Sequence, residues 1–310
     1  MISLNFLDLF SGIGGFRVGL EKAGHTCVGY VEKDKFARKS YEAIHNVEGE
    51  WTRNDITTVT NEEWRELSGK VDLICSGNPC QSFSIGGFYQ GFRDSRGSLF
   101  FELFRAIEQI KPRFLLFENV EGLLHNDKGH SFRTVLNKLD EIGYDAEWSM
   151  CNSENFGFPQ SRKRIFVVGY IRGSFKQRVF PIERIRGHME SPGFEQSSTY
   201  ADLHVRPIVT PKWINKTMNG RRFKEIGESS FTLTVKDRHG IIIHDDDYDY
   251  FKVRLLTPLE SWRLQNFTDE MYEKASEVNS KNQLYKQASN AVTTNIVYEI
   301  ARKLGEIYGE

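Results

Sequence analysis

A chain of 310 residues, 39% apolar and 27% charged, can bury a core beneath a hydrated surface, which excludes a disordered segment or a collagen-like repeat. No apolar run reaches the roughly 18 residues of a membrane helix, and the opening Met1-Ile2-Ser3-Leu4-Asn5 has no basic signal-peptide region. Forty-one basic against 42 acidic residues leave a net charge of −1, so the chain as a whole is no polycation. Its four cysteines (Cys27, Cys75, Cys80, Cys151) show no paired spacing that would suggest disulfides or a zinc knuckle, and are expected as free thiols in the cytoplasm.

The first half alternates. Asn5–Phe10 is predicted as a buried strand and Gly12–Ala23 as a helix. Cys27–Glu32 and Val71–Cys75 are predicted strands, and Lys35–His45 is a helix between them. Leu99–Ile110 carries apolar residues at 100, 103, 104 and 107 and is stopped by Lys111-Pro112, so it is a helix. Phe114–Phe117 is a strand, and Phe132–Ile142 is a helix ended by Gly143. Tyr144–Cys151 and Arg164–Ile171 are two late strands. Strands alternating with helices predict an α/β fold with a mostly parallel sheet covered on both faces.

Beyond about Gly173 the pattern breaks. Residues 174–250 are rich in Gly, Pro, Ser, Arg and His, with Thr232–Val235 and Gly240–His244 as short strands and Asp245-Asp246-Asp247 as an exposed turn. That acidic run lacks the alternating spacing of a calcium loop, and no metal is expected. A last helix runs from Thr293 to about Tyr308. Charge is uneven: from Gln160 to Lys224 there are fourteen Lys and Arg against four acids. Such a stretch is a solvated basic face or a polyanion-binding one, and Arg221 and Arg222 are candidates for phosphate contacts.

The first predicted strand runs through Asp8 into Ser11-Gly12-Ile13-Gly14-Gly15-Phe16. A glycine turn between strand and helix lets backbone approach a ligand, although it also serves as a plain tight turn. Arg17 occupies the third glycine position of the dinucleotide fingerprint. Glu32 ends the next strand, where an acid can accept from both hydroxyls of a ribose. Asp55 follows in Asn54-Asp55-Ile56, placed to accept from an exocyclic amine. Each alone could be an ordinary surface acid, but in this order they suggest an adenosine pocket.

The sharpest feature is Ser76-Gly77-Asn78-Pro79-Cys80-Gln81 after the strand Val71–Cys75. A lone cysteine is commonly a small core residue. Cys80 sits instead in a polar, proline-fixed loop at the carboxyl end of a strand, where open α/β sheets bind ligands. It is a nucleophile candidate if cations favour its thiolate. Gln81–Ser98 holds four Gly and four Ser, a composition suited to closing over a substrate. Glu118-Asn119-Val120 follows the next strand at the same edge. A partly desolvated carboxyl there can act as an acid, or it can simply cap a helix. In Gln160-Ser161-Arg162-Lys163-Arg164, alternation puts Arg162 and Arg164 on one face.

Taken together, Asp8–Gly15, Glu32, Pro79-Cys80-Gln81, Glu118-Asn119-Val120 and Gln160–Arg164 resemble the cytosine-5 DNA methyltransferases of bacteria and their phages. Arg254-Leu255-Leu256-Thr257-Pro258 with Glu260 and Arg263-Leu264-Gln265 is similar to that family's ninth motif, and Gln287–Val292 to its tenth. The likeness covers residues 4–171 and 252–308. Three positions depart from the usual pattern: Asn78 before Pro79, Asn266 before Phe267, and Ser289 in the glycine place of the tenth motif.

The resemblance implies a Rossmann-like sheet in residues 1–173 and 285–310, with a small target-recognition domain at 174–284. It implies S-adenosylmethionine as methyl donor, with Asp8, Ser11, Gly12 and Gly14 in its turn and Phe16 on the adenine. Glu32 would hold the ribose and Asp55 the adenine amine, with Pro79, Leu99 and Asn290 lining the pocket. It also implies Cys80 as nucleophile on a cytosine flipped from double-stranded DNA, Glu118 as the acid at ring nitrogen 3, Arg164 on the carbonyl and Arg162 orienting Glu118. A monomer is expected, with any cognate restriction endonuclease acting separately. Two other readings stay open: methylation of cytosine in transfer RNA, and a nucleotide-binding oxidoreductase, against which Arg17 argues.

Overall fold

The computed structural model describes residues 2–78, 98–174, 177–183, 204–211, 221–245 and 250–308. Seven strands form one sheet in the order β3-β2-β1-β4-β5-β7-β6. They are β1 (Asn5–Leu9), β2 (Thr26–Val31), β3 (Trp51–Arg53), β4 (Leu73–Ser76), β5 (Phe114–Val120), β6 (Tyr144–Asn152) and β7 (Lys163–Ile171). The first five run parallel, whereas β7 pairs antiparallel with both β5 and β6. This is the α/β sheet expected from the alternation.

Its central strands are mostly apolar because helices cover both faces, among them α1 (Gly15–Lys22), α2 (Lys35–Ile44), α3 (Asn61–Arg65), α4 (Ser98–Ile110) and α5 (His130–Glu141). All four residues of β4 are buried. Successive side chains part to opposite faces, so Ile74 and Leu115 join one core while Leu73, Phe114 and Leu116 join the other. The first core includes Phe100, Leu103, Phe104 and Ile107 of α4 (Ser98–Ile110). The second includes Val297, Ile300 and Leu304 of the last helix, α9 (Thr294–Tyr308). That helix lies on α1 (Gly15–Lys22), where a Cβ at Gly19 would stand 2.6 Å from Thr294 O. A side chain there would push the two helices apart.

A second sheet of three antiparallel strands has the order β10-β9-β8, built from β8 (His204–Val209), β9 (His239–Asp245) and β10 (Tyr250–Leu255). The expected strand at Gly240–His244 is therefore present within β9. Thr232–Val235 is not a strand, because its carbonyls are taken by side chains from elsewhere rather than by a ladder. Asp246 and Asp247 lie outside the described residues.

Three short helices follow: α6 (Pro258–Arg263), α7 (Asp269–Val278) and α8 (Lys281–Asn290). Thr257 and Thr268 cap the first two, and Thr257 with Glu260 completes a capping box. Trp262, fully buried, donates its indole N–H to Leu284 O at 2.9 Å and centres a third core that reaches Leu233 and Ile13. Among the described residues no helix is long and apolar enough to cross a membrane. Cys27, Cys75 and Cys151 are buried thiols that form no disulfide among the described residues.

Candidate active site

Between β1 and α1 the chain turns through left-handed conformations at Phe10, Gly12 and Gly14. Gly14 starts the helix at φ 87°, and a Cβ there would sit 2.2 Å from His45 Nε2, so only glycine fits. Glu32 bends back onto this turn. Its Oε2 accepts from Gly12 N at 2.8 Å and its Oε1 from Asp34 N at 2.6 Å. Burial raises its carboxyl above the usual range despite these donors.

The turn forms one wall of a cleft of about 810 Å³ at the carboxyl ends of the parallel strands. This is where the strand order reverses, between β1 and β4, and where open α/β sheets hold ligands. Ser11, Gly12, Phe16, Glu32, Asp55, Leu99, Glu118, Arg162, Arg164 and Asn290 all line it. Asp8 and Gly14 lie behind the wall. Asp8 is fully buried, with one oxygen unpartnered and the other accepting from the Cys75 thiol at 3.5 Å. Burial lifts Asp8 to about 7. Pro79 and Cys80 lie outside the described residues, although Gly77 and Asn78, which lead to them, line the same cleft.

Asp55 is engaged on both oxygens: Lys33 Nζ lies 2.7 Å from Oδ2, and Thr57 donates N–H and O–H to Oδ1. Burial pushes this carboxyl up, but Lys33 and Thr57 outweigh it and hold it below the usual range. Lys33 is 74% exposed, so it can swing away at little cost. On the cleft's other side Arg164 Nε sits 2.9 Å from Glu118 Oε1, both side chains mostly buried. The β5–β7 register, which sets Val120 opposite Arg164, brings them together. Asn119 Nδ2 donates to Asn78 O at 3.3 Å and ties β5 to the end of β4.

Arg162 lines the same cleft as Glu118. Its guanidinium donates to Leu233 O, Ser289 O and Ala291 O, and none of these bonds orients Glu118. It precedes β7, and three carbonyls from distant segments converge on it there. Arg222 is likewise no free cation: it is buried, while Arg221 pairs with Glu225 and Glu228.

Buried bonds outside the cleft's lining were not foreseen. Arg17 occupies the third glycine position. It is buried and makes a two-pronged pair with Glu50, plus bonds to Glu21 and Asn46 O. Gln160 accepts from Gln265, which accepts from Thr293, a buried chain linking three motifs. These partners are distant in sequence, and no local pattern announces them.

The profile of the C-5 cytosine-specific DNA methylases matches residues 4–306, from the first strand to the last helix. An orphan methyltransferase of Bacillus phage SPR, M.SPRI, is 28% identical over 99% of both chains. The type II methyltransferase M.DsaV of Dactylococcopsis salina is 33% identical over 97% of this chain and 86% of its own. M.HpaII of Haemophilus parainfluenzae is 30% identical over 98% and 90%. Among solved structures, S. pombe Dnmt2 superposes with a TM-score of 0.72 at 19% identity, covering 99% of this chain and 98% of its own, which shows the shared fold. With every segment that lines the cleft inside the matched range, the chain belongs to the C-5 cytosine-specific DNA methylase family and is a DNA (cytosine-5)-methyltransferase.

Proposed function

We propose that the chain methylates carbon 5 of a cytosine flipped out of double-stranded DNA, using S-adenosylmethionine and a transient bond from Cys80 to carbon 6. The observation that carries this reading is the Glu118–Arg164 pair, 2.9 Å apart, in the same cleft as Glu32 and Asp55. Phe16, Val31, Ile56 and Leu99 give that cleft apolar surface for a purine. Each Glu32 oxygen holds one backbone N–H and keeps a lone pair for a ribose hydroxyl. Asp55 takes the adenine amine as Lys33 swings off. Asp8, Ser11, Gly12 and Gly14 shape the turn, and Pro79 and Asn290 complete the pocket. When bound, the cofactor supplies an electrophilic methyl group.

Carbon 5 of cytosine is a poor nucleophile. The Cys80 thiolate adds at carbon 6, and the electron pair moves toward carbon 5. Glu118, carrying a proton, donates to ring nitrogen 3 and takes up the developing charge, while Arg164 holds the carbonyl at position 2. Once carbon 5 is methylated, a base removes its proton and the carbon 6–sulfur bond breaks, releasing Cys80. A thiol with a pKa near 8.5 is only a few per cent thiolate at neutral pH, so guanidinium groups and loop amides support it. Flipping the base costs a few kcal/mol. Residues 174–284 read the DNA. The enzyme acts as a monomer, apart from any cognate restriction endonuclease.

A duplex with 5-fluorocytosine at the target, found by bisulfite sequencing of DNA from expressing cells, tests this. Fluorine cannot leave carbon 5 as a cation, so a methylated adduct survives denaturing electrophoresis. Cys80→Ser abolishes it, while Cys75→Ser and Cys151→Ser leave it intact. An adduct mapped to another residue overturns the mechanism. Methyl transfer to transfer RNA but not to the duplex overturns the DNA reading.

A further inference from the structure

A guanidinium taken out of water needs acceptors. Arg162, 2% exposed, finds three carbonyls: Leu233 O at 3.4 Å, Ser289 O at 3.1 Å and Ala291 O at 2.8 Å. The last two lie at the C-terminal end of α8, where unpaired carbonyls and the helix dipole concentrate negative charge. Burial lowers Arg162 to about 9, which leaves it charged at neutral pH. Arg162 therefore caps that helix and holds both ends of the turn carrying Asn290 into the cleft.

The third carbonyl belongs to a different part of the chain. Residues 230–234 form no strand, and their polar groups are held from two sides. On one side Ser161 N donates to Ser230 O at 2.9 Å, Ser230 N donates to Pro159 O at 2.8 Å, and the Thr232 hydroxyl donates to Ser161 O at 2.5 Å. This joins the segment to the run that continues into Arg164. On the other side Ser289 Oγ lies 3.1 Å from Thr234 O and 2.9 Å from Tyr285 O and shares its one proton between them. A glycine at position 289 would lack the bond to Thr234. Just past Thr234, a turn closed by the Thr234 hydroxyl and Asp237 leaves Val235 55% exposed before the chain enters β9.

We propose that Arg162 and Ser289 are positioning residues that latch the DNA-reading part to the cofactor-facing turn, so that target DNA and cofactor each tighten the binding of the other. The proposal rests on the reading of residues 174–284 as the part that contacts DNA. The latched segment has no ladder of its own, so its position depends on these bonds and on Leu233 in the third core. DNA that settles residues 234–238 also settles the carbonyls that Arg162 and Ser289 hold, and with them the turn at Asn290. Linkage makes the effect reciprocal.

The test measures the Kd of labelled S-adenosylmethionine by equilibrium dialysis in three conditions: enzyme alone, with an unmethylated duplex carrying the site mapped by bisulfite sequencing, and with a shuffled duplex. For the native protein the site duplex tightens cofactor binding about tenfold, inside the usual range of coupling between sites, and the shuffled duplex does not. Ser289→Ala and Arg162→Lys each reduce that ratio to about twofold or less. Ser289→Thr, which keeps the hydroxyl, restores it. A purely structural role would shift cofactor affinity equally with and without DNA. A native ratio near one, or a ratio unchanged in Ser289→Ala, overturns the proposal, and Ser289→Ala decides it alone if Arg162→Lys does not fold. The underlying DNA reading fails separately: Lys236→Ala with Asp237→Ala would then leave the bisulfite pattern unaltered while the latch ratio persists.

Discussion

The two sheets are held in different ways. In the seven-stranded half, β1, β4 and β5 bury nearly every residue and their loops present polar groups on a fixed frame. The three-stranded part has its own antiparallel ladders and a few buried residues such as Ile208 and Ile242, but its outer face carries exposed pairs such as Arg206–Glu225 and Arg221–Glu228, and only a handful of bonds tie it to the larger half. Exposed ion pairs contribute little, so the second region is held in place mainly by what it touches. A chemical site needs fixed distances, and a surface that reads a long polymer benefits from a position it can adjust.

The contrast breaks first at Asp8, if the rigid half does not depend on its buried charge. Asp8 binds a proton more tightly folded, at about 7, than unfolded, near 3.8. Its contribution is therefore full below about pH 4 and is lost as pH rises toward 7, a change of about 4 kcal/mol at 1.36 kcal/mol for each unit. Urea midpoints of Asp8→Asn should lack this fall between pH 5 and pH 8, and an identical pH dependence in both proteins would refute the assignment.

Next comes the chemistry on that frame. Glu118→Gln should lower turnover about 100-fold or more, in the range for a lost general acid, with cofactor Kd changed less than about threefold. A collapse of cofactor binding would make Glu118 a wall of the pocket instead. In the same half, Gly19→Ala should destabilise by about 1–3 kcal/mol, since its Cβ would meet Thr294 O at 2.6 Å. Thermal melting checks this, and an unshifted midpoint would mean the two helices slide apart freely.

The smallest effect belongs to the second region. Arg221 is already neutralised by Glu225 and Glu228, so Arg221→Ala should leave the slope of log K for DNA against log salt nearly unchanged. A drop of about 0.9, the value of one phosphate contact, would show that the glutamates release it on DNA.

The same contrast governs what the residues disclosed. β1, β4 and β5 were legible because parallel strands are apolar runs punctuated by Gly and Pro. β3, three residues long, was not. The helices between 258 and 290 were missed although Thr257-Pro258-Leu259-Glu260 spells a capping box, because α6 is only six residues long and α7 and α8 bury too few apolar residues to mark a face. Glu32 and Glu118 could be picked out from their places at strand ends, Asp55 from its place after a loop, and Arg164 from its place at the start of a late strand. The partners of Arg162 could not: they lie 71, 127 and 129 residues away, and nothing near Arg162 points to them. The alternation argument placed Arg162 and Arg164 together, yet register alone decided which one met Glu118.

The cleft draws its lining from both ends of the chain, from residues 10–16 and from residues 286–292. Loop closure over so long a separation is slow, and it cannot begin before the later segment exists. A nascent chain therefore carries Glu118 and Arg164 well before it has a complete place for its methyl donor. Until residues 286–292 have left the ribosome and α9 has docked on α1, the cleft lacks part of its lining.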